Sequence, residues 1–371
     1  MASQTKVFNT RDPDQQKREY AVKRYQANYR RIYGSISGRW FSFGDERLLK
    51  KAFRELASTT HGQQILANLG DDFKGISSDT GLAHGANGAY AKDSDNVKIE
   101  SAFLSEDNQF HATGVLAHEL LHANQDRMGF LDNKGLSPRQ AVQRDLLCEA
   151  ETFGWQMSMS ATNKFFGKIN PSKEEIQQLL SLDKGAIDKK MDEILKNSPV
   201  TSSEDKAHHR EILTTFYDNL KKSGGNLYYA QRKAVGVAMS KFMNADSNSS
   251  STYGQVKKAY EDQAVRVTGI DMQDLSSKGN NQEVQRHYNY LAQQYGVSRA
   301  QLERTPLSSR VKAELASVEE NVAVRESFEK DASLIAQKAP GTLSNAARRN
   351  ITHEDSRSRQ PTSHTQSEGR G

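Results

Sequence analysis

The string His118-Glu119-Leu120-Leu121-His122 constrains this 371-residue chain more than any other stretch. A helix brings residues four apart onto one face, so both imidazoles can aim at a single ion. Glu119, one residue on, reaches the side where an ion-bound water would sit. The apolar pair inside the motif and the preceding Val115-Leu116-Ala117 mark a helix, read over residues 108–130, that is burial-prone. Two ligands do not complete a site. A catalytic zinc takes three protein ligands and a water, so a third ligand must come from elsewhere.

The next helix offers it. Ser137-Pro138 reads as an N-cap followed by proline at the first helical position, and the helix runs on through Leu147-Cys148-Glu149-Ala150-Glu151. Glu149 and Glu151 lie about 200° apart around a helix, so both cannot coordinate one ion directly. With Leu146, Ala150 and Phe153 on the packed side, Glu149 is favoured as ligand and Glu151 as its support or a surface residue, though helical phase leaves the choice open. With zinc in place, Glu119 is the expected general base. An oxyanion would need a donor, and Tyr217, Tyr228, Tyr229 and Tyr253 are available, each read more simply as packing.

Elsewhere the chain is mostly helical in pattern. Tyr25, Tyr29 and Tyr33 are spaced four apart among Lys17, Arg18, Lys23, Arg24, Arg30 and Arg31, which predicts a basic helix with its aromatics against the body. Residues 45–70 predict one or two amphipathic helices, with an interruption near Thr59 to Gly62. Gly81, Gly85 and Gly88 precede Ala89-Tyr90-Ala91, a polar turn at Lys92 to Asn96 and the alternating Val97-Lys98-Ile99-Glu100, which together predict a hairpin. Val97 to Glu100 is expected to be an exposed edge strand above the metal, able to pair with an extended substrate. Further helices are predicted over 172–196, 203–222, 226–243, 254–264, 281–295 and 307–337, and no repeat of fixed period is present.

Composition removes several classes. A single cysteine, Cys148, excludes an internal disulfide and an all-cysteine metal site, and is read as a small buried residue. No apolar run approaches the roughly 20 residues that span a bilayer, and the first residues lack a signal-peptide core, so a soluble protein without a transmembrane segment is expected. The 51 basic and 46 acidic residues are interspersed, which argues against a dedicated nucleic-acid binder. Gly81 to Gly88 does not match a phosphate-binding spacing. His208-His209 is read as solvated, and His84 and His111 as lying near the site without an assigned role.

These residues resemble the zinc metallopeptidases called gluzincins, especially the minimal effector-like branch of bacteria that deliver proteases into other cells. The resemblance covers residues 45–165. It is carried by Thr60-His61-Gly62-Gln63-Gln64-Ile65-Leu66, the Val97 to Glu100 strand, Ala117-His118-Glu119-Leu120-Leu121-His122-Ala123 and Glu149-Ala150-Glu151. It implies that His118, His122 and Glu149 bind Zn2+, that Glu119 is the base, and that Glu151 supports a histidine. It departs from metzincins in lacking a glycine-histidine extension after His122, and from thermolysin-like enzymes in lacking an asparagine-glutamate opening before the third ligand.

The expected fold is α+β and predominantly helical: a zincin-like core with a small antiparallel sheet or hairpin and an additional helical region. The expected organisation is a basic helical arm over 1–44, the metallopeptidase core over 45–169, a helical substrate- or partner-binding region over 170–337 and a disordered polar tail over 338–371. The expected function is a zinc endopeptidase acting on a protein substrate such as a host protein, with no specific nucleic-acid partner. The expected setting is injection into a host cell by a dedicated secretion system, or otherwise the cytoplasm. The rival readings are a non-catalytic zincin-like binding module and a helical adaptor with a nucleic-acid-binding arm.

Overall fold

A computed structural model describes residues 13–38, 43–82, 86–198, 202–270, 281–303 and 305–338. His84 and the expected tail beyond Lys338 lie outside the described residues. The protein is predominantly helical with a three-stranded sheet. The first part consists of α1 (Pro13–Ser35), α2 (Phe43–Ala57), α3 (Thr60–Asn68), β1 (Gly75–Asp79), β2 (Gly88–Ala91) and β3 (Asn96–Glu100). Two helices central to the site follow, α4 (Gln109–Arg127) and α5 (Pro138–Phe166). The remainder comprises α6 (Lys173–Leu180), α7 (Lys184–Lys196), α8 (Ser203–Lys222), α9 (Leu227–Asn244), α10 (Thr252–Ile270), α11 (Asn281–Tyr295), α12 (Arg299–Glu303) and α13 (Ser309–Lys338).

Residues 1–315 form one compact unit, and 316–371 a second whose described part is the remainder of α13. Within the first unit, α5 joins the two halves of the chain. It packs on α4 and also on α9, α10 and α11. Gly154 permits the approach of α9, because a Cβ there would come within 2.9 Å of Met239 Cγ and 3.0 Å of the Val235 carbonyl. One apolar core runs from Ile32 on α1 through Leu116, Leu120, Leu146 and Trp155 to Leu291 on α11 and Leu315 on α13. A second lies farther along α5, where Phe165 meets Ile187, Phe216 and Ala234.

Local chemistry explains most of the boundaries. Thr59 ends the helix before it and caps the next, its hydroxyl accepting from Gly62 N at 2.9 Å. The expected single helix over 172–196 is two, α6 and α7, because Asp183 caps a new start by accepting from Ala186 N at 2.8 Å. On α1 the tyrosines stack on one another and on Phe53 of α2. Two of its basic side chains are committed to the end of α3: Arg24 donates to Leu69 O at 2.7 Å and Arg31 to Gly70 O at 2.6 Å.

The sheet corrects two expectations, being mixed rather than antiparallel and placing Val97 to Glu100 at its centre. Its order is β1-β3-β2, with β3 parallel to β1 and antiparallel to β2. The hairpin formed as expected, but Val97 to Glu100 is the central strand, and β2 is the edge that turns toward α4. The alternation that marks β3 as a strand buries one of its faces, since Val97 and Ile99 are fully inside, and β1 and β2 flank its two edges. No helix among the described residues is long and apolar enough to cross a membrane.

Candidate metal centre

The connection between α4 and α5 sets which face of α5 meets the histidines. Ser137 and Gln140 form a reciprocal capping box at the start of α5, with Pro138 in the first turn. Arg144, almost wholly buried, donates to the carbonyls of Gly129 and Asp132 and straps the connecting loop onto α5. Held in this phase, α5 turns Glu149 toward α4 and Glu151 to one side.

His118, His122 and Glu149 meet. His118 Nε2 and His122 Nε2 are 3.0 Å apart, His118 Nε2 is 3.3 Å from Glu149 Oε2, and His122 Nε2 is 3.4 Å from Glu149 Oε1. A tetrahedral ion with bonds of about 2.0–2.1 Å separates its ligand atoms by about 3.3 Å, so the three sides match one face of such a coordination shell. Glu149 Oε2 is buried with no properly directed donor among the described residues. Burial opposes charge on both groups of the His122–Glu149 pair, yet their mutual attraction wins. It holds Glu149 below the usual carboxylate range and raises His122. An anionic oxygen facing two convergent ring nitrogens could hold a metal ion.

Behind the histidines lies a buried polar chain. His122 Nδ1 lies 2.7 Å from Gln125 Oε1, and Gln125 Nε2 donates to Glu151 Oε2 at 2.8 Å and Cys148 O at 3.1 Å. Because both acceptors sit on the nitrogen side of Gln125, its oxygen faces His122, which holds a proton on Nδ1 and aims Nε2 at Glu149 and His118. Glu151 Oε1 accepts from Tyr295 at 2.5 Å and Tyr290 at 3.3 Å, both on α11. Burial raises the Glu151 carboxyl, and these donors act against that rise.

Glu119 is buried beside β2, the sheet edge. A Cβ at Gly88 would come within 2.6 Å of Val115 Cγ1, 3.0 Å of Glu119 Cγ and 3.1 Å of its Oε1, so only glycine lets the strand lie this close to the motif helix. Among the described residues no strand pairs with the outer side of β2. Tyr260 of α10 lies nearly parallel to the His118 ring, with centroids 6.3 Å apart. Burial, then the charges on Glu149 and Glu119, push its phenol well up.

The tyrosines available from the sequence lie elsewhere. Tyr217 belongs to the second core, Tyr228 hydrogen-bonds Gln64 and stacks on Trp155, Tyr229 is partly exposed, and Tyr253 packs on Phe153. Tyr260, Tyr290 and Tyr295, which reach the site or its support, carry no local sequence signal. His209 is buried against Tyr253 rather than solvated, and burial lowers it to about 4. His111 is exposed on α4, and Cys148 is buried with its thiol toward Phe130 O, burial pushing it well up. Comparison with protein-family models, curated proteins and solved structures finds no match, so the geometry alone carries a functional reading.

Proposed function

We propose that this chain is a zinc-dependent endopeptidase of the gluzincin type, with a zincin-like core, acting on a protein substrate. The observation that supports the reading is the meeting of His118, His122 and Glu149 ligand atoms within 4.8 Å of one another, with the two histidines on α4, the helix that also carries Glu119, and Glu149 on α5. Two imidazoles and a carboxylate form a donor set suited to a catalytic zinc. His118, His122 and Glu149 hold the ion, which when bound supplies an acidified water and a polarised scissile carbonyl. Glu119 takes the water's proton and returns it to the departing amine. An extended substrate segment pairs with the free edge of β2, beside Glu119. Tyr260, whose ring lies nearly parallel to that of His118, is the candidate donor to a developing oxyanion.

Elemental analysis of folded wild type, His118→Ala, Glu149→Ala and Glu119→Gln tests the site. One zinc per chain is expected in wild type and Glu119→Gln, and loss in the other two. Cleavage of a proteome-derived peptide mixture is expected to fall about 10²–10⁴-fold in Glu119→Gln. Folded wild type that takes up no added zinc would overturn the reading, and zinc bound without any cleavage would favour a non-catalytic module.

A further inference from the structure

The support behind His122 ends far from it in the chain. Glu151 is fully buried, and each of its oxygens already receives a donor: Gln125 on one side, Tyr295 and Tyr290 on the other. Tyr295 is itself oriented, because its hydroxyl oxygen accepts from Trp155 Nε1 at 2.9 Å while its proton goes to Glu151. A carboxylate in apolar surroundings keeps one position only while its lone pairs are satisfied. Gln125 is set by that carboxylate, and the His122 ring by Gln125.

We infer that Tyr295, assisted by Tyr290, is a positioning residue for the metal centre, so that docking of α11 and metal binding at His122 are coupled. This rests on the reading of His118, His122 and Glu149 as metal ligands. The route is continuous: Tyr295 holds Glu151, Glu151 holds the Gln125 amide, and Gln125 holds Nδ1–H of His122, leaving its Nε2 aimed at Glu149 and His118. Coupling of this kind is reciprocal. A docked α11 tightens metal binding, and a bound ion tightens the docking of α11. Part of the helical region after residue 170 is thereby assigned to the metal centre.

A control residue lies on the same helix. Tyr288 is as buried as Tyr295, and its hydroxyl accepts from Gln143 with no link to Glu151. The experiment measures zinc affinity by chelator competition in wild type, His122→Ala, Tyr295→Phe, Tyr290→Phe/Tyr295→Phe and Tyr288→Phe. It adds the absorption spectrum of the cobalt-loaded forms and amide exchange over residues 281–295 with and without zinc. Outer partners of metal-bound histidines typically contribute 10–100-fold in affinity. Tyr295→Phe is expected to weaken zinc binding about 10-fold and alter the cobalt spectrum, the double variant to weaken it further, and Tyr288→Phe to leave both unchanged. Zinc is expected to slow amide exchange in α11 of the wild type, a readout that needs no variant. Equal affinities in Tyr295→Phe and wild type, or α11 exchange indifferent to zinc, would overturn the inference while leaving the site intact. Wild type that binds no zinc would overturn the site itself, and the inference with it.

Discussion

Gly88→Ala tests how the sheet edge and the motif helix are fitted together. Carbon atoms pack at about 3.5–4.0 Å, so a Cβ placed 2.6 Å from Val115 Cγ1 and 3.0 Å from Glu119 Cγ falls short by about 1 Å and about 0.5 Å. Either β2 moves off α4 or the two side chains leave their positions. Overpacking of this order costs about 1–3 kcal/mol. Reacting groups displaced by about 1 Å lose on the order of 10²-fold in rate. The variant should therefore retain its zinc, unfold at a lower temperature and cleave peptides about 10²-fold more slowly. Val115→Ala in the same background removes the worst contact and should restore most of the stability. It leaves the contact with Glu119, so cleavage should stay low. The assays are thermal unfolding, zinc stoichiometry and turnover on the four corners of this double-mutant cycle. Wild-type stability and turnover in Gly88→Ala would refute the packing of β2 on Glu119, and full recovery of both by Val115→Ala would refute the separate constraint on Glu119.

Two further expectations concern buried charge. His287 is fully buried, stacked on Phe130, with neither ring nitrogen hydrogen-bonded among the described residues. Burial, with Arg144 and Arg286 adding to it, lowers it to about 3. Because the folded value lies below the ordinary 6.5, the unfolded chain binds the proton more readily, and stability falls as pH drops from 6.5 toward 3. At pH 5 this contribution is about 2 kcal/mol, from about 1.36 kcal/mol per unit. His287→Phe should remove that share of the acid loss in urea titrations at pH 7.5 and 5, and an unchanged difference between the two would contradict it. Lys257, fully buried, donates to the carbonyls of Met243, Ala245 and Pro306 at 2.8–3.0 Å and faces Glu261 at 4.0 Å. Lys257→Met strands three carbonyls and a buried carboxylate, so denaturant unfolding should show a loss of about 3–5 kcal/mol, and a loss below about 1 kcal/mol would mean that solvent reaches these groups.

Much of this architecture was legible where local chemistry decides it. Ser137-Pro138 announced the start of α5 because a capping box and a proline act within one turn, and α11 spans the residues its apolar spacing indicated. β1 was not legible, since Gly75-Ile76-Ser77-Ser78-Asp79 carries one large apolar residue and becomes a strand by pairing with β3. For the same reason Val97 to Glu100 read as an edge. Alternation shows that one face is buried, but strand order depends on which neighbour arrives, and the polar segment that covers β3 from the β1 side gave no signal.

The site divides along the same line. Spacing alone placed His118, Glu119 and His122 together, because one helix carries all three. The third member needed tertiary information. Glu149 and Glu151 lie about 200° apart in helical phase, and what decides between them is the strap from Arg144 to the loop before α5, together with the partners waiting on each side: two ring nitrogens for Glu149, and two tyrosines and an amide for Glu151. Tyr260, Tyr290 and Tyr295 were beyond reach in principle. A tyrosine at helical spacing is core by default, and the direction of its hydroxyl is set by how α10 and α11 pack against α5, which no pattern within those helices encodes. A chain read only as far as its resemblance extends would stop at residue 165. The groups that hold the far side of the Glu151 carboxylate come from residues 281–295, and a fragment cut after α5 would keep the three candidate ligands while depriving Glu151 of two of its donors.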